Sequence, residues 1–320
     1  MDASRMYLGI DLGATMVKLG IVDERGMVLD KTSFSASDLV SDAQCLAFVD
    51  AVTSFVHGVG VYSSELAGIG LAVPGIVADG VPALTANISA DWPRLLDSLR
   101  PAFSQCPITC VNDANAAALG ELWLGAAEGA RSVLLVTIGT GIGAGLVVDG
   151  RVVTGHNGAA GEIGHLTVAP GGRPCGCGRA GCLEQYASAR GIVANFWEAD
   201  RAGIPASSAR VPAHAVDALA VFDAARAGDE RARAALQRFS STLGFALAQV
   251  TCVVDSEVIL LGGGVAGGAD LYLDDLRAAY GTSCLSTCAS TDIRCATLGN
   301  DGGVVGAVRC SMLAEDAGDR

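Results

Sequence analysis

Three cysteines and a histidine fall within eighteen residues of glycine-rich chain, in the run GHLTVAPGGRPCGCGRAGCLEQ from Gly164 to Gln185. Nine residues separate His165 from a C-x-C pair, Cys175 and Cys177, and four more lead to Cys182. One imidazole and three thiolates are a usual structural donor set for Zn²⁺, which takes four N or S ligands in a tetrahedron. Gly176, Gly178 and Gly181 lie between the donors and let the loop fold back at little steric cost. The competing reading is a set of ordinary buried thiols. The other eight of the eleven cysteines are scattered, however, and these three are not. Glu162 stands three residues before the histidine and Glu184 two after the last cysteine. A structural zinc here would lock a loop that presents two carboxylates.

A second group capable of chemistry is Asn112-Asp113. The strand pattern ITCV delivers both side chains to its carboxyl end, where α/β sheets place their ligands, and a helix pattern begins at once. Asp113 read alone is as well explained as a helix N-cap. The run NDANAAALGE adds a further amide, Asn115, in the first turn, which is more polar groups than a cap needs. A carboxylate held there beside a sugar hydroxyl can accept its proton as a phosphoryl group arrives, a reaction that otherwise needs positioning and charge neutralisation.

The third group is a pair of Gly/Thr turns between short strands. Tyr7–Asp11 and Lys18–Val22 flank Gly13–Thr15, and Asp23–Gly26 reverses the chain again. VLLVTIGTGIGAGLVVDGRVV, Val133–Val153, has the same layout with a final turn at Asp149-Gly150, which predicts a duplicated domain core. Small residues let backbone N–H groups approach phosphate oxygens and threonine hydroxyls add donors. Two such turns are jaws for one polyanion; the plainer alternative is two β-hairpins with glycines for turn geometry.

These groups must be positioned by ordinary secondary structure. Helical spacing marks Ala43–Val56, an apolar strand Leu66–Val73 ends in Pro74-Gly75, and Asp113–Ala127 is an alanine-rich helix. Further helices are predicted at Ser188–Ala202, Ala213–Ala227 and Asp229–Val254. A strand at Val258–Leu261 runs into Gly262–Gly264, then come a helix near Ala269–Tyr280, a strand at Ile293–Thr297 and a last helix from Gly303 to about Ala314. Strands alternating with helices give an α/β fold. The 320 residues suit two domains, with the boundary near Val111–Asp113 and the last helix packing back on the first: 1–111 with about 300–320, and 112–299.

Composition limits the function. Hydrophobic residues make up 51% of the chain, yet charges interrupt every run that would cross a membrane as a helix. The opening MDASRMYLGIDLG enters a strand pattern directly and lacks a signal-peptide layout. Eleven cysteines then point to thiols and a metal site in a reducing, cytoplasmic compartment. A formal net charge of −13 argues against a nucleic-acid surface. A nucleotide must therefore be held by local N–H groups and Mg²⁺ against a repelling field.

In combination these motifs resemble the ROK family of sugar kinases and sugar-responsive repressors over essentially the whole chain. GIDLGATMVKLGIVD is similar to its first phosphate motif, VNDANAAALGE to its catalytic-aspartate segment and VTIGTGIGAGLV to its second phosphate motif. GAAGEIGHLTV with CGCGRAGCLEQYAS resembles its signature and zinc loop, and VILLGGGVA its adenosine-side glycine run. The resemblance implies the two-domain sugar kinase/Hsp70/actin-like fold with a ligand cleft between domains. It implies phosphorylation of the 6-hydroxyl of a hexose, D-glucose foremost, by MgATP, with a structural Zn²⁺. Asp113 would be the general base, and Asn87, Asn112, Glu162, His165 and Glu184 would bind the other sugar hydroxyls. His165, Cys175, Cys177 and Cys182 would hold the zinc. Gly13, Thr15, Thr140 and Gly141 would line the phosphates, Asp11 would contact the Mg²⁺ shell, and Gly263 and Gly264 would lie near the nucleoside. Ala14 departs from the glycine common in the first motif.

The family's repressors carry a helix-turn-helix module ahead of the sugar-binding core, and ten residues before Asp11 in an acidic chain do not supply one. A zinc-binding interaction module explains the cysteines but not the two turns. Kinases for fructose, N-acetylglucosamine or N-acetylmannosamine, and polyphosphate as the donor, remain open alternatives. The family resemblance implies a homodimer or higher homo-oligomer.

Overall fold

The computed structural model describes residues 4–78, 80–84, 88–205 and 217–318. The chain opens with a meander of β1 (Met6–Leu12), β2 (Met16–Asp23) and β3 (Val28–Ser35), followed by α1 (Asp42–Gly58). Then come β4 (Leu66–Val73), a small hairpin of β5 (Ile76–Ala78) and β6 (Val81–Leu84), α2 (Trp92–Ala102), β7 (Ile108–Asn112) and α3 (Asp113–Leu124). A second meander, β8 (Val133–Ile138), β9 (Ile142–Val148) and β10 (Arg151–Val152), leads into the cysteine-rich loop and α4 (Glu184–Ala187). Next are α5 (Ala189–Arg201), α6 (Ala218–Arg226), α7 (Glu230–Thr251) and β11 (Val258–Gly262). A 3₁₀ turn at Gly264–Leu271, α8 (Leu273–Ser283), β12 (Asp292–Cys295) and α9 (Gly302–Gly318) complete it. The predicted helix at Ala213–Ala227 begins in part outside the described residues; the described helix spans Ala218–Arg226.

The two five-stranded sheets have the same topology, β3-β2-β1-β4-β7 and β10-β9-β8-β11-β12. In each, an antiparallel meander is extended by two parallel strands. That common order accounts physically for the likeness of the two Gly/Thr segments, since the same strand–turn–strand unit opens each sheet.

Two compact units emerge: Met1–Arg131 with Gly145–Ala160 and Thr297–Arg320, and Ser132–Ala144 with Gly161–Ala296. The boundary expected near Val111–Asp113 falls where a strand meets a helix. The first unit runs on through α3 because that helix packs against α9, which lies on β1 and β4. α9 belongs to the first unit, and its approach to α3 and β4 is close. A Cβ on Gly306 would sit 1.6 Å from the Ala116 carbonyl oxygen, and one on Gly70 would sit 1.9 Å from that of Ala307. Only glycine permits backbones to meet at that range.

Alternation decides the faces of the first sheet. Leu8, Ile10, Leu12, Val17, Leu19 and Ile21 point into one core with α1 and α2, while Tyr7 and Val22 face Val304 and Val308 of α9. The same alternation puts Asp11 on the α9 face rather than in the core. α2 carries Pro93 in its first turn, where the missing N–H is no loss, and Pro101 at its last.

Candidate active site

Asp113 is the first residue of α3, and the helix is capped by its neighbour. Asn112 has extended backbone, φ −63° and ψ 144°, and its side-chain oxygen accepts the Asn115 N–H at 3.0 Å. The cap reading of Asp113 is thereby replaced: Asn112 satisfies the helix end, and the carboxylate is left for other work. The Asn112 amide donates to the Gly75 carbonyl at 2.8 Å and to Asp113 Oδ1 at 3.0 Å, and the Ala114 N–H reaches the same oxygen at 2.9 Å. Gly75 arrives there because β4 and β7 run parallel, pairing Val73 with Asn112. Asn112 thus spends both amide hydrogens on protein groups and positions Asp113; for a sugar it retains only acceptor capacity. Asn115 is buried, and its oxygen accepts the Leu146 N–H at 3.2 Å, so the extra amide ties α3 to β9.

Burial pushes the Asp113 carboxyl up to about 6, the nearby Asp11 charge adds to the rise, and the Ala114 N–H opposes it. A carboxyl moved toward neutrality at a strand end is suited to take a proton near pH 7. Asp11 lies on the same unit, paired with Lys18 Nζ at 3.1 Å. Gly303, at the start of α9, leaves room for it: a Cβ there would lie 2.6 Å from the Asp11 carboxyl carbon. The turn after Asp11 is closed by the Gly13 N–H to the Met16 carbonyl at 2.9 Å, which leaves Ala14 and Thr15 exposed.

Glu121 received no role from the sequence, and it is 2% exposed. Its oxygens accept the N–H groups of Ala126 (2.7 Å), Thr297 (2.9 Å) and Leu298 (2.7 Å), and the Thr297 hydroxyl at 3.3 Å. It therefore pins the strand-to-helix link before α9 to the helix that starts with Asp113. The available signal was an acid in the middle of an otherwise apolar, alanine-rich stretch of helix.

On the second unit the β8–β9 turn is closed by the Gly139 N–H to the Gly141 carbonyl at 3.0 Å, with Thr140 exposed. The start of α5 braces it through the Ala189 N–H to the Gly139 carbonyl at 2.9 Å. Gly263, at the end of β11, has φ +80°, and a Cβ would lie 2.5 Å from the Ile138 carbonyl oxygen. The glycine run is thus forced by close backbone approach at the end of β8; Gly264 beside it is open.

The cysteine-rich loop folds back through short backbone bridges, Thr167 to Cys182 and Pro174 to Ala180. Donor atoms of His165, Cys175, Cys177 and Cys182 all lie within 4.8 Å of one another. The Cys177 and Cys182 sulfurs are 3.6 Å apart, and Cys175 Sγ is 3.7 Å from His165 Nδ1. A tetrahedral zinc with metal–sulfur bonds of about 2.3 Å has sulfur–sulfur edges of about 3.8 Å, so this donor set fits that ion. Arg179 N–H groups bring the Cys177 thiol down to about 6, whereas burial pushes Cys175 up to about 12. Cys175 donates to Glu184 Oε1 at 3.0 Å, and the other oxygen of Glu184 lies 3.0 Å from where a Gly141 Cβ would be. Glu184 therefore connects the metal loop to the second Gly/Thr turn. Glu162 is exposed, with no side-chain hydrogen bond among the described residues.

The expected residues thus fall into two sets: Asp11, Gly13, Thr15, Asn112 and Asp113 on one unit, and Thr140, Gly141, Glu162, His165, Glu184, Gly263, Gly264 and the cysteines on the other. Asn87 lies outside the described residues.

Residues 7–314 match the sequence model of the ROK family. The chain is 37% identical to the glucokinase of Halalkalibacterium halodurans over 311 residues, which covers 95% of this chain and 94% of that one. A crystal structure of a ROK hexokinase from Thermus thermophilus superposes with a TM-score of 0.80 at 32% identity, covering 98% and 99% of the two chains. A ROK family glucokinase from Streptomyces griseus, in complex with glucose and AMPPNP, does so at 0.75 and 29%, covering 96% and 99%. With the family model matched over residues 7–314 and a relative 37% identical over 95% of the chain, the chain belongs to the ROK family.

Proposed function

We propose that the chain is an ATP-dependent hexokinase that converts D-glucose to glucose 6-phosphate, with its two compact units as the two domains of a sugar kinase. The observation that carries this reading is Asp113, freed from capping and raised to about 6 at the end of β7. Two hydrogen bonds converge on its Oδ1, which orients the carboxyl and leaves Oδ2 to take the proton of the sugar 6-hydroxyl. As that proton leaves, the hydroxyl oxygen bonds to the γ-phosphorus and the bond to the bridging oxygen of ADP breaks. Gly13, Thr15, Thr140 and Gly141 would offer N–H and hydroxyl donors to the phosphates, and Gly263 and Gly264 would leave room for the nucleoside. Glu162, His165 and Glu184, with Asn112 and Asn87, would bind the remaining sugar hydroxyls; carboxylates suit a polyol because each oxygen accepts.

Asp11 would hold Mg²⁺ through its hydration shell, and the ion when bound neutralises phosphate charge. His165, Cys175, Cys177 and Cys182 would hold Zn²⁺ as a structural ion, since four protein ligands leave no open position. With its thiols in metal bonds the loop keeps Glu162 and Glu184 in place.

All eleven cysteines are free, which supports a cytoplasmic setting, and no helix among the described residues is long and apolar enough to cross a membrane. A homodimer, as the family resemblance implies, is the expected assembly, which light scattering would read. The functional test is a coupled assay of glucose, fructose, mannose, N-acetylglucosamine and N-acetylmannosamine with MgATP and with polyphosphate. Glucose with MgATP is expected to give the highest kcat/KM; a higher value for an N-acetylated sugar would replace the substrate and keep the kinase.

A further inference from the structure

Arg173 received no role from the sequence, and the fold gives it several partners. It lies in the cysteine-rich loop between His165 and Cys175, yet its side chain is only 16% exposed. A charge so far from water must be matched by polar groups. Its Nε donates to Glu198 Oε1 at 2.9 Å, its Nη2 to Asn195 Oδ1 at 2.8 Å, and its Nη1 to the Gln185 carbonyl. The guanidinium carbon stands 4.5 Å from the centre of the Tyr186 ring, and the Arg173 N–H donates to the Tyr186 hydroxyl at 2.9 Å. Gly172 admits that hydroxyl, since a Cβ there would lie 2.2 Å from it.

These partners belong to two helices, Gln185 and Tyr186 to α4, Asn195 and Glu198 to α5. α4 has four residues and no side-chain cap at its start. One turn of helix does not hold itself, because the cost of nucleation outweighs its few hydrogen bonds. Its setting therefore comes from packing and from groups outside it. Leu183, Tyr186 and Ala187 supply the buried face. Arg173 supplies the polar tie, at the carbonyl of the residue that follows Glu184. Asn195 adds to it by donating to the Tyr186 carbonyl at 3.0 Å. Glu184, so placed, accepts the Gln185 side-chain amide on Oε1 at 3.2 Å and keeps Oε2 beside Gly141.

From this geometry we infer that Arg173 is a positioning residue, which clamps α4 to α5 and to the cysteine-rich loop and so sets the Glu184 carboxylate for the sugar. The inference rests on the reading of Glu184 as a sugar ligand. It is separate from the metal, to which a guanidinium offers no donor atom. The planar fork of arginine reaches three acceptors at once, whereas a lysine ammonium is one point on a flexible stem. Arg173→Met should therefore weaken glucose binding about tenfold, the loss of one hydrogen bond to a charged group, and Arg173→Lys about threefold. Lysine keeps the charge beside Glu198, so the milder variant retains the ion pair.

The test titrates glucose calorimetrically into wild type, both Arg173 variants, Glu184→Gln and the two double variants. Both Arg173 variants should keep the zinc content of wild type by elemental analysis, with a raised KM for glucose and an unmoved KM for MgATP. In the Glu184→Gln background neither replacement should change glucose affinity by more than about twofold, because the effect passes through that carboxylate. Amide exchange over residues 182–188, followed by mass spectrometry without sugar, should quicken in both Arg173 variants. Exchange that stays at the wild-type rate overturns the clamp. So does an Arg173 effect of equal size in both backgrounds, or zinc that is lost together with glucose binding. A Glu184→Gln protein that binds glucose as wild type does refutes the sugar-ligand reading instead, and the exchange measurement then decides the clamp by itself.

Discussion

Asp113→Asn should make this protein nearly inactive and more stable at once. Burial raises the carboxyl from 3.8 to about 6, so about two units separate the folded and unfolded titrations. At roughly 1.4 kcal/mol per unit, the ionised side chain destabilises the fold by about 3 kcal/mol at neutral pH. Below about pH 4 both states hold the proton and the penalty vanishes; it grows between about pH 4 and 6 and is complete above. Asparagine keeps an oxygen for the Asn112 and Ala114 donors but carries no charge. Its melting temperature should therefore exceed that of wild type by about 5–10 °C at pH 7.5, and by little at pH 4. Turnover should fall by roughly 10²–10⁴, because the amide cannot take a proton, with sugar KM little changed. In wild type, kcat/KM should drop about tenfold per pH unit below about 6. Differential scanning calorimetry at the two pH values and a coupled assay across pH 5–8 read all three effects. An asparagine variant with near-normal turnover, or a melting point no higher than wild type at pH 7.5, would refute the reasoning.

Cys177→Ser should lose zinc and activity together, because the loop that holds the metal also presents Glu162 and Glu184; elemental analysis checks the metal, and a metal-free, fully active wild type would end the idea. Glu121→Ala leaves the N–H groups of Ala126, Thr297 and Leu298 without their acceptor, a loss on the order of 5 kcal/mol by denaturant melting. A change below about 1 kcal/mol would mean that water replaces the carboxylate. Glu162→Gln should reduce kcat/KM for glucose by about tenfold to a hundredfold, and N-acetylated hexosamines should be poor substrates, as parallel kinetics on the sugar panel will read.

The chemistry-bearing groups were legible in the sequence because their signals are local. Ligand spacing around Gly176 and Gly178, small residues in two turns, and an acid where a strand pattern meets a helix pattern all lie within about twenty residues. The repeated strand–turn–strand layout, read as a duplicated domain core, is the unit that opens each of the two sheets. Elements such as β3 and α2 were not legible: β3 is an edge strand with mostly exposed side chains, and α2, although Trp92, Leu95, Leu96 and Leu99 have helical spacing, carries two prolines that mask it.

What only the tertiary structure decided are the properties that depend on distant partners. Local sequence left Asp113 as cap or base; the Gly75 carbonyl, brought alongside by β4, fixes Asn112 as the cap. The raised titration of Asp113 comes from packing and from Asp11, about a hundred residues earlier. Glu121 became a structural acceptor only when Thr297 and Leu298, 176 and 177 residues later, came within hydrogen-bond range. Spacing along the chain specifies which groups are available, but desolvation and Coulomb terms depend on distance in space, and only the fold sets that distance.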